Sequence, residues 1–329
     1  MAPMYEISLD ADRPRLDGRN LEALISLYLA DVYRRSDPKT GVGYRRKLAY
    51  FVDWWREREV KILDGDSLAD FARHLEGLRK SNGAPLSFNT RRDALRRLGQ
   101  CLRWAHQTGR IPVDLSGEIP RPRGHQPPRS PVELSLVASM IAIAGLGQAP
   151  ERDRAIVAVL AGTGIRCNEA AGLRVEHLTA HADGAGYIQI VQAKNDKPRV
   201  VAFDAYTGVY LIRQADVVGE ATGPLFPSRK HGAGLSASGI RKLIARLSAE
   251  AGQAIGPHDL RRLYATVWSR TLRGEAYGQL LQHQLGHEDW STTAQYSLQD
   301  VGDTLETIRR HAVTPLAVLA HRGENEAER

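Results

Sequence analysis

Six residues in the second half of the chain are of types that bind and turn over phosphate esters: Arg166, Lys194, His258, Arg261, His287 and Tyr296. Arg166 follows a Gly162-Thr163-Gly164 turn and precedes the helical pattern NEAAGL. Its guanidinium therefore projects from a helix start, where outward-facing backbone N–H groups also favour an anion. Glu169, one helical turn on, is spaced to orient that guanidinium by an ion pair. His258 and Arg261 occur in PHDLRRLYAT at a predicted helix start, where i, i+3 spacing puts both on one face and within reach of a single phosphate. The neighbouring Arg262 is the weaker candidate, because a helix turns it about 100° away. Lys194 sits beside a predicted hairpin turn, His287 lies in QLGHEDW and Tyr296 in STTAQYS.

Other chemistries are open to these residue types but fit less well. His283 and His287 have the i, i+4 spacing that binds one ion on a helix, yet no glutamate occupies the metalloprotease position and no third ligand is evident. Cys167 has an arginine neighbour that would lower its pKa, but no motif marks it as a nucleophile.

The elements that must position these groups follow from periodicity. Residues 1–18 are polar and turn-rich, a frayed lead-in. Over 19–110, apolar residues recur at helical spacing (Leu21, Leu24, Ile25, Tyr28; Leu48, Phe51, Val52, Trp55; Leu68, Phe71, Leu75), which predicts a small all-helical domain. Within it, 89–106 forms an amphipathic helix with a basic side. Residues 111–131 are rich in proline and basic residues, and predict an extended connector and the domain boundary. The second domain, 132–313, reads as helices at 134–144, 151–162 and 167–173, a hairpin of strands 186–192 and 199–203 around Asn195 and Asp196, then further helices. A helix over 303–312 leads through Pro315 into Leu316, Val318 and Leu319. This apolar segment has few neighbours to pack against, so the tail, 314–329, is expected to dock on an adjacent protomer, with 322–329 mobile. The fold class is mainly α, with a small sheet in the second domain.

Composition agrees with a nucleic-acid partner. The chain has 329 residues, enough for two domains, and a net charge of +7. Basic runs occur at Arg45, Arg46 and Lys47, at Arg91, Arg92, Arg96 and Arg97, and over 121–129. A polyanion is the partner these runs suit, and the first two sets are the DNA-contact candidates. The two cysteines, Cys101 and Cys167, lie far apart, and no apolar run has membrane-spanning length. No signal-peptide core stands near the start. A reducing, cytoplasmic and nucleoid-associated setting without a membrane partner is the expectation.

Taken in order, GTGIRCNEAAGL, VQAKNDKPRVVAF, HDLRRLYAT and LGHEDWSTTAQY resemble the signature segments of the tyrosine recombinase (phage integrase) family, of the Xer- and Cre-like two-domain type. The resemblance covers the second domain, and the helices before it resemble that family's SAM-like core-binding domain. It departs at AKNDK, where GKGNK is commoner, and at Arg262-Leu263, where His-Thr is frequent.

Position by position, the resemblance implies Arg166 and Arg261 as the arginine pair, Lys194 as the hairpin lysine, His258 and His287 as the histidines, Tyr296 as nucleophile and Glu169 as the supporting acid. It implies a site-specific recombinase that joins its tyrosine to a 3′ phosphate and exchanges strands through a Holliday junction. A homotetramer on double-stranded DNA with paired core sites follows, with no metal or other cofactor, and an accessory or partner recombinase is left open. The division of roles between the two histidines is open too. Two alternatives remain: a type IB topoisomerase-like enzyme, and a non-catalytic DNA-binding protein of the same fold.

Overall fold

The computed structural model describes residues 9–10, 13–14, 18–58, 60, 62–122, 124, 130–191, 198–229, 233–286 and 298–327. The chain divides into two compact units, Met1–Arg129 and Ser130–Arg329.

In the first unit a two-residue ladder pairs β1 (Leu9–Asp10) with β2 (Arg13–Pro14) ahead of four helices: α1 (Gly18–Arg35), α2 (Pro38–Glu57), α3 (Gly65–Gly77) and α4 (Phe88–Gln107). Their starts are written locally. Asp37 accepts from the Lys39 N–H at 2.7 Å with Pro38 in the first turn, Asp64 and Ser67 form a reciprocal capping box, and Ser87 accepts from the Thr90 N–H. The apolar stripes of all four helices meet in a core of Tyr28, Phe51, Trp54, Trp55, Phe71, Leu98 and Leu102, in which Phe51 meets Phe71 edge-on.

The connector predicted over 111–131 is not extended throughout. Ile111 and Leu115 are buried in the first unit's core, Ile119 packs against it, and Leu115–Gly117 make a 3-10 turn on α4. Apolar residues four apart cover α4 there, a signal that the prolines and arginines farther along obscured.

The second unit is built around α6 (Pro150–Thr163), on which residues 155–163 are all buried. A helix apolar all round must be central, and α6 is packed by α5 (Leu134–Ala144), by a sheet and by five later helices. After α7 (Cys167–Ala171) come β3 (Leu178–Ala180), β4 (Gly186–Ile190) and β5 (Arg199–Phe203), antiparallel in the order β3-β4-β5. Ile188 pairs with Val201 and Tyr187 with Ala202. Alternation then splits the sheet's contacts: Ile188, Ile190, Val201 and Phe203 join the α6 core, while Tyr187 and Ala202 join a second cluster with Tyr264, Trp268 and Leu285. The two expected strands pair, the first ending at Ile190 rather than 192, while the turn around Asn195 and Asp196 lies outside the described residues; β3 was missed, being three residues (LTA) without a pattern.

The remaining helices are α8 (Ala205–Val218), α9 (Ala237–Glu250), α10 (Pro257–Thr271), α11 (Glu275–Leu285), α12 (Leu298–Arg310) and α13 (Pro315–Ala327). Two expectations about the tail need correction. The segment predicted to lack neighbours packs on its own unit: Leu316 and Ala317 are buried, Val318 and Leu319 rest on the α6 core, and α13 meets α5, α6 and α8. Its start is fixed by the buried Thr314, whose hydroxyl donates to Asp204 and accepts from the Ala317 N–H at 3.1 Å. The stretch 322–329, expected to be mobile, is helical as far as Ala327.

Candidate active site

Arg166 and Arg261 lie far apart in sequence but converge on one short stretch of backbone. Arg261, on the inward face of α10 and buried, donates to the Gly164 carbonyl at 2.8 Å and to the Leu285 carbonyl at 2.7 Å. Arg166 donates to the Gly286 carbonyl at 2.6 Å. The Leu285 and Gly286 carbonyls lie at the C-terminal end of α11, and that of Gly164 at the end of α6, where orphan acceptors gather and the helix dipole is negative. His287 follows immediately in sequence.

Two left-handed glycines make this approach possible. Gly164, with φ of 67°, ends α6, and a Cβ there would stand 2.8 Å from both Leu285 and Tyr264. Gly286, with φ of 65°, ends α11, and a Cβ there would stand 2.8 Å from the Arg199 guanidinium. Glycine adopts this conformation without strain and leaves the space open.

Glu169 organises the arginines. Its carboxylate accepts from the Arg166 backbone N–H at 2.7 Å and from the Arg166 side chain at 3.1 Å. Arg199, the first residue of β5, grips the same carboxylate with two bonds of 2.9 Å, and its Nη2 lies 3.5 Å from the Leu285 carbonyl. Burial alone would raise the Glu169 pKa, but the Arg199 and Arg166 bonds outweigh it and hold the carboxyl below the ordinary range. The side chains of Glu169 and Arg199 are 3% and 4% exposed, whereas Arg166 is 38% exposed. The pair beneath is structural in position, and the guanidinium above it opens to solvent.

His258 is exposed at the start of α10, one turn before Arg261. Arg262 is exposed as well and sits 3.7 Å from Asp259, turned away from the cluster. Lys194, His287 and Tyr296 lie outside the described residues. His283 is buried in α11. One expectation is corrected: the helix after Arg166 ends at Ala171 rather than Leu173. Five residues build little dipole, so the cationic character there belongs to the guanidiniums.

Sequence reading missed Arg199, which carries no motif of its own, and Gln284. The buried Gln284 side chain accepts from the Ala202 N–H at 3.1 Å and donates to the Ala202 carbonyl at 2.6 Å, fastening α11 to β5. The only available signal was an arginine standing where an alternating strand should place an inward residue.

In the first unit the basic candidates separate into two groups. Arg97 lies 3.9 Å over the Tyr44 ring and donates to its hydroxyl at 2.5 Å, and Arg91 pairs with Glu76 at 3.3 Å. Arg96 pairs with Asp93 at 3.4 Å, and burial lowers the pKa of Lys47 while Asp93 opposes that shift. Arg45 lies over the Tyr33 ring at 5.7 Å and Arg92 over Phe88 at 5.8 Å, and these two and Arg46 are exposed.

A family model described as "Phage integrase family" matches residues 134–301. The chain belongs to the phage integrase family. As a tyrosine recombinase of this family it is a DNA strand-transfer enzyme. Curated relatives include the tyrosine recombinase XerD of Ralstonia nicotianae, 28% identical over 83% of this chain and 86% of its own length. The tyrosine recombinase XerC of Lactobacillus delbrueckii subsp. bulgaricus is also 28% identical, over 84% of this chain and 94% of its own length. Among solved structures, lambda integrase (residues 75–356) bound to DNA superposes with a TM-score of 0.63 at 17% identity, covering 84% of this chain and 94% of that one. XerH bound to its difH substrate before cleavage gives 0.57 at 20% identity, covering 84% and 80%. These structural likenesses show that this phage-integrase chain shares the mainly helical fold with its small three-stranded sheet.

Proposed function

We propose that this tyrosine recombinase cuts and rejoins DNA at specific sites through a 3′-phosphotyrosyl intermediate formed by Tyr296. The observation that carries the reading is the convergence of Arg166, Arg261 and the Glu169–Arg199 pair on the Leu285 and Gly286 carbonyls, immediately ahead of His287. A phosphodiester resists attack by an anion, and its pentacoordinate transition state gathers charge on the non-bridging oxygens. Fixed guanidiniums offset that charge without reorganising, stay protonated at any working pH, and donate in parallel to phosphate.

In this mechanism the Tyr296 phenolic oxygen attacks phosphorus as the bond to the 5′ oxygen breaks. The phenol, with an ordinary pKa of about 10, gives its proton to an imidazole, for which His258 is the first choice, and His287 donates to the phosphate. Lys194 protonates the departing 5′ oxygen. The phosphoester bond is exchanged and not lost, so a 5′ hydroxyl from another strand reverses the step without an energy source.

Strand exchange between two duplexes needs four such sites, so a homotetramer on paired core sites is the proposed assembly, in the cytoplasm at the nucleoid. A lambda integrase tetramer bound to a Holliday junction is among the structures that share the fold, with a TM-score of 0.61. Docking of residues 314–329 on a neighbouring protomer is part of this proposal, and it requires α13 to leave the seat it occupies on its own unit.

The test is covalent capture. Nicked duplexes with a randomised core are incubated with the protein, denatured in detergent and recovered with any attached chain. The expected result is a sequence-dependent adduct that Tyr296→Phe abolishes. An adduct indifferent to sequence would favour the topoisomerase-like alternative, and no adduct would favour the non-catalytic one.

A further inference from the structure

We propose that Arg199 is a positioning residue for strand transfer: its buried guanidinium holds the Glu169 carboxylate against the end of α11, so that Arg166 is kept in place for a phosphate. The inference rests on the strand-transfer reading above and adds to it a residue that touches no substrate.

The geometry gives Arg199 a place at the root of three functional segments. It is the first residue of β5, which follows the segment carrying Lys194. It takes both carboxylate oxygens of Glu169, the acid that also holds the backbone and side chain of Arg166. Its Nη2 approaches the Leu285 carbonyl, which Arg261 also engages. The space it fills at Gly286 is open only because that residue lacks a Cβ.

Charge explains why an arginine is needed there. Glu169 is buried and ionised, and a carboxylate in that position must be matched. With Arg199 bound bidentately, the match is made beneath the site. Without it, Arg166 alone would have to answer the carboxylate, which would draw its guanidinium down and spend its charge internally. Three guanidiniums and one carboxylate give the cluster a net charge of two, and loss of Arg199 would halve it. Lysine supplies the charge but not the fork, so it restores compensation without fixing the carboxylate plane.

The experiment uses the full chain and duplexes recovered by covalent capture with the wild type. Arg199→Met, Arg199→Lys and the double variant Arg199→Met/Glu169→Gln are compared for single-turnover attachment rate, affinity for the same duplex and thermal melting. Arg199→Met is expected to attach on the order of 10- to 100-fold more slowly, as displaced supporting groups typically do, with affinity nearly unchanged. Lysine should restore part of the rate. Glutamine at 169 should restore part of the Met variant's loss, because the amide asks for no counter-cation. Should Arg199→Met fail to fold, the lysine variant is judged by the same split between rate and affinity.

Attachment at the wild-type rate, equal losses in rate and affinity, or independent multiplying losses in the double variant would each overturn the role. A wild-type chain that forms no adduct would instead remove the strand-transfer reading, and the inference with it.

Discussion

The Arg166 guanidinium donates to the carbonyl of Gly286 at 2.6 Å, joining two residues 120 positions apart. One signature segment is thereby tied to the start of another. In the proposed mechanism a phosphate would meet cations already oriented, so that their stabilising effect is not spent on reorganisation.

Arg166→Ala is therefore expected to reduce the covalent attachment rate by about 100- to 1,000-fold, the usual cost of removing one fixed donor to a developing oxyanion. Affinity for the same duplex should fall far less, because many other phosphate contacts hold it. Single-turnover capture beside a gel-shift titration separates the two. Parallel losses in rate and affinity would mean that Arg166 serves binding alone.

Gly164→Ala tests the turn that carries this arginine. The new Cβ would force a left-handed residue at φ of 67° and press on Leu285 and Tyr264 at 2.8 Å. Strain of about 1–3 kcal/mol is expected, read as a lower urea midpoint with an unchanged slope. A variant as stable as the wild type would show that the α6–α7 turn yields easily.

Much of this site was legible in the sequence because its chemistry is written in short segments with fixed spacing. The choice of Arg261 over Arg262 needs only a helix to be read. Glu169 was legible for the same reason. Arg199 and Gln284 were not, because their partners come from other elements: a carboxylate 30 residues earlier for one, and the edge of β5, 82 residues away, for the other. The seat of α13 was misread on similar grounds. Leu316 looked unpartnered in sequence because its neighbours on α5 and α6 are far back in the chain.

Asp204 gives a pH dependence with a definite sign. It is buried, accepts from the Thr207 N–H and the Thr314 hydroxyl, and burial outweighs those bonds to raise its pKa above the ordinary 3.8. The folded state then holds the proton more tightly than the unfolded one. Stability should fall as the pH rises from 3.8 to the raised folded value, and level off beyond it. Asp204→Asn keeps the shape and the cap to Thr207, so this slope should vanish from urea midpoints measured across that window. A slope that persists in the variant would assign it to another group.

In the first unit, exposure is expected to decide which of the proposed DNA-contact arginines serve DNA. Arg46 and Arg92 are exposed, whereas Arg97 is stacked on Tyr44 and bonded to Gln100 at 2.8 Å. Arg46→Ala and Arg92→Ala should each leave melting unchanged and flatten the log–log salt dependence of DNA affinity by about 0.9, the share of one neutralised phosphate. Arg97→Ala should instead destabilise the unit by roughly 1–2 kcal/mol through the lost cation–π contact and hydrogen bonds. If Arg97→Ala changed the salt slope while leaving stability intact, the basic face of α4 would have to be assigned the other way round, with the stacked arginine turning out to meet the DNA.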